Sequence, residues 1–148
     1  ARLVTRTRFS DHITPVLRDL HWLPVKFRIM YKILLLTYKC LHGLAPEYLT
    51  DLIQEYKPVR SLRSSSKQNL VPSSVSTTSY GHRCFHHASP ELWNKLPLHI
   101  KNSRTLNQFK SSLKTYLFEL AFLWYHIYIC FILCFLVFNV ISSLFIVL

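Results

Sequence analysis

Residues 24–43, with the sequence PVKFRIMYKILLLTYKCLHG, constrain the fold of this chain more than any other segment. Apolar side chains recur in it at three- and four-residue steps, and further apolar side chains cover much of the opposite side. Pro24 suits the start of a helix, and Gly43 suits a left-handed terminator. A helix that is apolar over most of its perimeter is typical of the centre of a bundle. Its four basic side chains argue against a membrane span, because each would cost about 2.5 to 3.5 kcal/mol near the bilayer centre.

Two shorter helical patterns flank this central helix. One begins at Ser10 or Asp11, which are suitable N-cap residues, and the other begins at Pro46, which suits a first helical turn. The side chains expected to face inward from the later helix are Tyr48, Leu49, Leu52, Ile53 and Tyr56. The pattern predicts a basic, antiparallel three-helix unit over residues 1–56, with Trp22 packed into one end of it.

The middle of the chain has a different composition. Residues 57–79 are rich in Ser and Arg and lack a helical period, which predicts a loop or linker, with Ser61-Leu62 and Asn69-Val71 as candidate short strands. Residues 80–119 form a second helical segment, in which one helix begins at Ser89-Pro90 and an amphipathic helix follows. The apolar face of that last helix consists of Leu106, Phe109, Leu113, Leu117 and Leu120. The predicted fold is therefore mainly α: a small helical bundle with a Ser-rich irregular middle segment and a C-terminal hydrophobic helix.

The final segment, residues 120–148, contains no Asp, Glu, Lys or Arg. About 20 apolar residues suffice to cross the hydrocarbon core, so this segment is a candidate transmembrane helix. The basic residues shortly before it are Lys101, Arg104, Lys110 and Lys114. Because none follows it, the positive-inside rule predicts a single-pass membrane protein whose N-terminal part is cytosolic. The alternative is an apolar peptide translated from AT-rich DNA beyond the original end of a gene; without insertion, the chain would lie in the cytoplasm or nucleus.

The charge of the chain predicts an anionic partner. Eighteen Lys and Arg residues against seven Asp and Glu give a net charge of +11, and twelve of the eighteen lie in residues 1–67. RNA or DNA, bound nonspecifically through its backbone, and an acidic membrane surface are both suitable partners. The candidate phosphate-binding residues are Arg28, Lys32, Lys39, Arg60, Arg63 and Lys67. A basic solvated surface and a plain linker are the alternatives for these positions.

The sequence argues against an enzyme. Two-metal phosphoryl transfer needs clustered carboxylates, but Asp11, Asp19 and Asp51 lie in separate helical contexts. With only two glycines, the chain has no glycine-rich phosphate loop. We therefore expect no catalytic residues, no cofactor and no small-molecule substrate, while the oligomeric state stays open.

The cluster GHRCFHHAS is a weak candidate for a metal site. If the segment is extended, His82, Cys84 and His86 project on one face and offer nitrogen and sulfur ligands suited to zinc. The residues that could supply a fourth ligand are His87, Cys40 and His42. The spacing matches no common zinc module, so ordinary packing or surface exposure is the preferred interpretation.

Four sequence blocks, LHWLPV, APEYL, LWNKLP and FKSSLKTYLF, occur in this order within residues 1–122. Together they resemble the C-terminal region of the reverse-transcriptase polyprotein of non-LTR (LINE-like, jockey-type) retrotransposons. The resemblance implies a helical part that helps to hold template RNA or target DNA, with the catalytic aspartates of the polymerase upstream. The His-His pair after Cys84-Phe85 departs from the usual pattern.

The function predicted on this basis is that of a non-catalytic C-terminal fragment of a retrotransposon reverse transcriptase, at most a nonspecific RNA- or DNA-binding accessory module. The chain opens with Ala1 rather than Met, which also suggests a fragment. The alternatives are a single-pass, tail-anchored membrane protein of unknown role and a translated genomic relic without function.

Overall fold

The computed structural model describes residues 1–58, 60, 68–77 and 80–123 of the chain. Its helices are α1 (Arg2–Thr5), α2 (Ile13–Asp19), α3 (Val25–Leu41), α4 (Glu47–Thr50), α5 (Phe85–Asn94), α6 (Leu98–Lys101) and α7 (residues 106–123), with a 3-10 turn at Gly81–Arg83. The β-structure of the described residues is an isolated antiparallel bridge between Glu55 and Leu70. The predicted mainly helical fold is thus confirmed.

The two ends of α3 agree with those predicted from Pro24 and Gly43. Gly43 has a φ of +66°, the left-handed conformation that glycine adopts without a Cβ penalty. Its backbone N–H donates to the carbonyl of Cys40 at 3.3 Å, and that of Leu44 donates to Lys39 at 2.8 Å. These bonds form a Schellman motif, which satisfies carbonyls that the end of the helix would otherwise leave without partners.

Helix α2 ends in the same way without a glycine. His21 adopts a φ of 54°. Its backbone N–H donates to the carbonyl of Arg18 at 2.9 Å, and the N–H of Trp22 donates to the carbonyl of Leu17 at 2.8 Å. The predicted role of Trp22 as a plug for the bundle is wrong, because its side chain is 46% exposed. The next residue, Leu23, is buried instead, so the smaller aliphatic side chain takes the interior position after the left-handed turn.

Val25–Thr115 form one compact unit, in which α3 packs against α5. The hydroxyls of Thr37 and Ser89 lie 2.7 Å apart at this interface, and both residues are fully buried. The small side chains Ala88 and Ser89 let the two helices approach closely. The apolar core of the unit includes Leu34, Tyr38, Leu70, Trp93, Leu96, Ile100, Phe109 and Leu113.

Ala1–Pro24 and the described residues from Tyr116 onward form a second compact unit. Within it, the His21 ring stacks on Phe118 with 5.6 Å between centroids, and the Arg2 guanidinium lies 5.4 Å from the centre of the Phe9 ring. These units differ from the boundaries predicted from composition, which placed a three-helix unit over residues 1–56 and a separate segment over residues 80–119. The difference arises because α3 buries Thr37 against α5, which is distant in sequence.

The third helix predicted for the 1–56 unit is reduced to the single turn α4. Tyr48, Leu52 and Tyr56 are 69%, 46% and 44% exposed, so their predicted inward orientation is wrong. The backbone beyond α4 pairs with another segment instead of continuing the helix: the N–H of Tyr56 donates to Asn69, and the carbonyl of Gln54 accepts from Val71, both at 2.9 Å.

Helix α5 begins at Phe85, four residues before the predicted start at Ser89-Pro90. Pro90 lies inside the helix, where its missing N–H leaves the carbonyl of His86 without its usual intrahelical donor. The Ser73 hydroxyl replaces that donor at 2.8 Å from the His86 oxygen. A side chain from outside the helix therefore makes the buried proline tolerable.

The predicted amphipathic pattern of the last helix is confirmed in α7. Phe109, Leu113 and Leu117 are buried, and Leu106 and Leu120 are half-buried. Residues 124–148, most of the candidate transmembrane segment, lie outside the described residues. Among the helices within residues 1–123 that the structure describes, none has the length and apolarity needed to cross a bilayer.

Candidate functional site

The candidate site is built on a short extended segment, residues 68–71, that side chains of α5 hold in place. The Asn94 amide accepts from the backbone N–H of Leu70 at 2.8 Å and donates to the carbonyl of Leu70 at 3.0 Å. The indole N–H of Trp93 donates to the carbonyl of Gln68 at 2.9 Å. The opposite edge of the segment pairs with residues 54–56 through the β-bridge. The segment is therefore fixed on both edges.

A cleft of about 820 Å³ lies beside this segment. It is bounded by the end of α3, by residues 55–58 and Arg60, and by the turn between α6 and α7. The residues that line it are Leu41, His42, Glu55, Tyr56, Lys57, Pro58, Arg60, Gln68, Asn69, Leu70, Trp93, Lys101, Asn102, Ser103 and Arg104. Its volume is in the range typical of ligand-binding sites in proteins.

Positive charge dominates the cleft. Lys57, Arg60 and Arg104 are exposed, and among the described residues no carboxylate forms an ion pair with any of them. Lys101 is only 4% exposed, and its ammonium donates to the Asn69 side-chain oxygen at 3.1 Å. Glu55 is the acidic residue of the lining. A concave surface with four cations and one carboxylate focuses a positive potential that attracts anions.

A stack of three rings connects the core to the cleft. The Phe109 and Tyr38 rings have centroids 4.2 Å apart, those of Tyr38 and His42 are 3.9 Å apart, and both pairs are inclined by 19°. Phe109 and Tyr38 are buried, whereas His42 is exposed and lines the cleft. Two hydrogen bonds fix the stack: the Tyr38 hydroxyl donates to the Ser103 carbonyl at 2.9 Å, and Nδ1 of His42 donates to the Tyr38 carbonyl at 2.9 Å.

The structure brings only some of the predicted phosphate-binding residues to the cleft. Arg60 lines it. Arg28 and Lys32 are exposed on α3 and Lys39 is half-buried there, but none of the three belongs to the lining. Arg63 and Lys67 lie outside the described residues.

Four residues of this site are absent from the predicted phosphate-binding set: Lys57, Lys101, Arg104 and His42, which the sequence suggested only as a possible fourth zinc ligand. They come from separate segments, and no helical period or short motif links them. Lys101 and Arg104 were considered only as basic residues that precede an apolar tail. The sequence feature that could have pointed to the site is the LWNKLP block. Its Trp93 and Asn94 hold the extended segment at the base of the cleft.

The extended conformation assumed for the weak metal-site candidates His82, Cys84 and His86 is wrong. The chain forms a 3-10 turn at Gly81–Arg83 and then enters α5, which separates the three side chains. His82 pairs instead with His87, with 2.7 Å between Nδ1 and Nε2, and Nδ1 of His87 donates to the Ser73 carbonyl at 2.8 Å. Across the described ranges of the chain, no group of three side chains suited to a metal ion is found.

Cys40 lies on α3 close to the cleft and is buried. Burial raises the pKa of its thiol, and a hydrogen bond with the Thr50 side chain partly opposes this effect. The thiolate is the nucleophilic form of cysteine, so a raised pKa keeps Cys40 unreactive at neutral pH. The geometry therefore gives this thiol a packing role.

Comparisons of the chain with protein-family models, with curated proteins and with solved structures found no match. Any function proposed for this chain therefore rests on its own residues.

Proposed function

We propose that this chain is a non-catalytic nucleic-acid-binding module that holds the phosphate backbone of RNA or DNA without reading its sequence. The convergence of Lys57, Arg60, Lys101 and Arg104 on one cleft carries this proposal. Phosphate contacts by such residues supply most of the affinity of sequence-independent binding. The net charge of +11 favours association with any polyanion, and the cleft gives that attraction a defined place.

The exposed cations of α3 support a polymer rather than a small acid as the ligand. Arg28 and Lys32 lie on the same compact unit as the cleft and are available to further phosphates. A nonspecific binder reaches useful affinity by neutralising several phosphates at once, each of which releases counterions. The resemblance to the C-terminal region of retrotransposon reverse transcriptases favours the same class of ligand.

The test compares two triple variants with equal loss of charge. The cleft variant carries Lys57→Gln, Arg60→Gln and Arg104→Gln, and the control carries Lys26→Gln, Arg83→Gln and Lys114→Gln, which are exposed positions outside the cleft. Binding of a labelled 20-nucleotide RNA to the full chain, kept in a mild non-ionic detergent, is measured by fluorescence anisotropy between 50 and 200 mM salt. Each lost phosphate contact should lower the slope of log K against log salt by about 0.7 to 0.9.

We expect the slope of log K against log salt to be smaller by about 2 in the cleft variant, and to change much less in the control. Equal behaviour of the two variants would show that the cleft is not the binding surface. A third variant, Arg28→Gln, Lys32→Gln and Lys39→Gln, measures the contribution of α3.

The proposed parent is a retrotransposon reverse transcriptase, and the four sequence blocks named above support it. The test is to read the DNA upstream of the codon for Ala1. An open frame that encodes a polymerase palm with clustered aspartates would agree with this origin, whereas unrelated upstream coding sequence in the same frame would refute it.

A second proposal concerns location: residues 120–148 anchor the chain in a membrane as a single span, with the N-terminal part in the cytosol. The observation that favours it is the absence of Asp, Glu, Lys and Arg from these 29 residues. Alkaline carbonate extraction of membranes from cells that express the chain tests it. Recovery in the pellet is expected, and recovery in the soluble fraction would exclude the anchor.

A further inference from the structure

The stack of Phe109, Tyr38 and His42 rises from the core and ends at an exposed ring in a cation-lined cleft. We propose that the outer face of the His42 imidazole is a stacking platform for an unpaired base, and that the cleft consequently takes single-stranded nucleic acid in preference to duplex. This inference rests on the proposed function, since it names the class of nucleic acid that the same cleft binds.

The platform is held in place before any ligand arrives. One face of the His42 ring is covered by Tyr38 at 3.9 Å, and Nδ1 is bonded to the Tyr38 carbonyl. Tyr38 is itself fixed by its hydroxyl, which donates to the Ser103 carbonyl. A ring that is already ordered loses little conformational entropy when a base stacks on it, so more of the stacking energy contributes to affinity.

The charges of the cleft complement such a platform. Lys57, Arg60 and Arg104 line the same cleft as His42, so a strand whose base stacks on the imidazole would place its phosphates among cations. Proteins that bind single strands without sequence preference combine these two elements, a basic groove and aromatic faces. Every base has a π-face, and the arrangement therefore tolerates any sequence.

The concave shape disfavours a duplex. The base of the cleft includes the buried residues Leu70 and Trp93, which lie below the surface of the protein. In a duplex the bases are stacked on each other, and only the outer backbone and the groove edges are accessible. An unpaired base can be turned out of its strand and into a cleft of about 820 Å³.

The experiment uses ligands that differ in bases but not in phosphates. The full chain in non-ionic detergent is titrated with fluorescein-labelled oligothymidine of ten nucleotides, with an abasic strand of equal length and with a ten-base-pair duplex. The variants are His42→Ala, His42→Phe, which keeps an aromatic face, and the cleft variant described above, which carries Lys57→Gln, Arg60→Gln and Arg104→Gln. Thermal unfolding checks that each variant is folded.

We expect His42→Ala to weaken oligothymidine binding by about 5- to 150-fold, the effect of losing one stacked base. Binding of the abasic strand should not change, and His42→Phe should restore the affinity for oligothymidine. A 2-aminopurine base in the strand should be quenched by the wild-type chain and by His42→Phe, but not by His42→Ala.

The two proposals fail in different ways. If wild type binds the abasic strand as tightly as oligothymidine, the stacking platform is refuted, even if the cleft variant binds both ligands more weakly. This comparison uses the wild-type chain alone and does not depend on the folding of a variant. Equal affinity of wild type for duplex and oligothymidine refutes the single-strand preference. If no ligand binds, or if the cleft variant binds all three ligands with wild-type affinity, the proposed function itself is refuted.

Discussion

The side-chain amide of Asn94 pairs with both backbone polar groups of Leu70, as a neighbouring β-strand would. The adjacent groups, the carbonyl of Asn69 and the N–H of Val71, point the other way and pair with residues 54–56. This alternation is that of a strand between two neighbours, one of which is a single side chain at the end of α5. The backbone of the cleft base is therefore satisfied although the described residues contain no regular sheet.

Replacement of Asn94 by Ala should destabilise the compact unit that contains it. The change leaves the N–H and carbonyl of the buried Leu70 without partners, and a buried polar group that loses its partner costs about 1 to 3 kcal/mol. Urea-induced unfolding followed by circular dichroism measures the loss. The neighbouring Lys95→Ala, at an exposed position, should cost less than about 0.5 kcal/mol. A loss for Asn94→Ala as small as that of its neighbour would mean that water replaces the amide.

The hydroxyls of Thr37 and Ser89 should prove coupled in a double-mutant cycle. They lie 2.7 Å apart in the interface between α3 and α5, and Thr37 also donates to the Ile33 carbonyl at 2.9 Å. Thr37→Val removes one member of the pair at nearly constant volume, and Ser89→Ala removes the other. We expect the double variant to lose about 0.5 to 3 kcal/mol less than the two single losses combined. Strict additivity of the unfolding free energies would contradict a direct interaction.

The elements that sequence analysis predicted well are those with local signals. The bounds of α3 follow from Pro24 and Gly43, and the apolar face of α7 follows from its three- and four-residue repeat. The cleft has no such signal. Its shape depends on bonds from Asn94 and Trp93 to a backbone that lies about 25 residues away in sequence, and such bonds leave no periodic pattern.

Partners that are distant in sequence also account for the errors in the predicted elements. Pro90 is a helix-start signal, but here the Ser73 hydroxyl satisfies the carbonyl that the proline leaves free, so α5 begins earlier. The helical pattern after Pro46 was overridden because residues 54–56 found backbone partners in the extended segment. In both cases a distant partner decided the local structure. The predicted phosphate-binding residues of α3 form the basic stripe that the apolar faces of this helix leave to solvent, and such a local pattern does not indicate which cations of separate segments converge.

The Glu91 and Lys95 pair on α5 should give a small, pH-dependent stabilisation. A hydrogen bond from Lys95, 2.6 Å from the Glu91 oxygen, and the Lys95 charge lower the pKa of Glu91. A carboxyl whose pKa is lower in the folded state stabilises the fold above its unfolded pKa and loses this contribution as the pH falls through its folded pKa. Both side chains are largely exposed, so the contribution is at most about 0.5 kcal/mol.

Unfolding free energies of wild type and Glu91→Gln, measured at pH 7 and pH 3, test this sign. The difference between them should be present at pH 7 and should shrink as the pH is lowered towards 3, because protonation of Glu91 removes the interaction with Lys95. A difference that grew towards low pH would contradict the assigned cause of the pKa shift.

Lys101 should contribute more to binding than to stability. It is 4% exposed at the cleft, where its ammonium is removed from bulk water and bonds to the neutral Asn69 side chain. Loss of the ammonium removes the cost of keeping a charge out of water, and it also removes the hydrogen bond to the Asn69 oxygen. Because these two effects oppose each other, we expect Lys101→Met to change the unfolding free energy by less than about 1 kcal/mol. The same variant should lower the slope of log K against log salt for RNA binding by about 0.7 to 0.9, which corresponds to one phosphate contact.

Lys95→Met is the matched control, because Lys95 is on the same compact unit but pairs with Glu91 outside the cleft. It should change neither the salt slope nor the unfolding free energy by a comparable amount. A large loss of stability in Lys101→Met with an unchanged salt slope would assign Lys101 a purely structural role, and the cleft would then hold three functional cations instead of four. The result that we expect is weaker RNA binding by a chain of similar stability. This result would assign the buried ammonium of Lys101 a role in ligand binding.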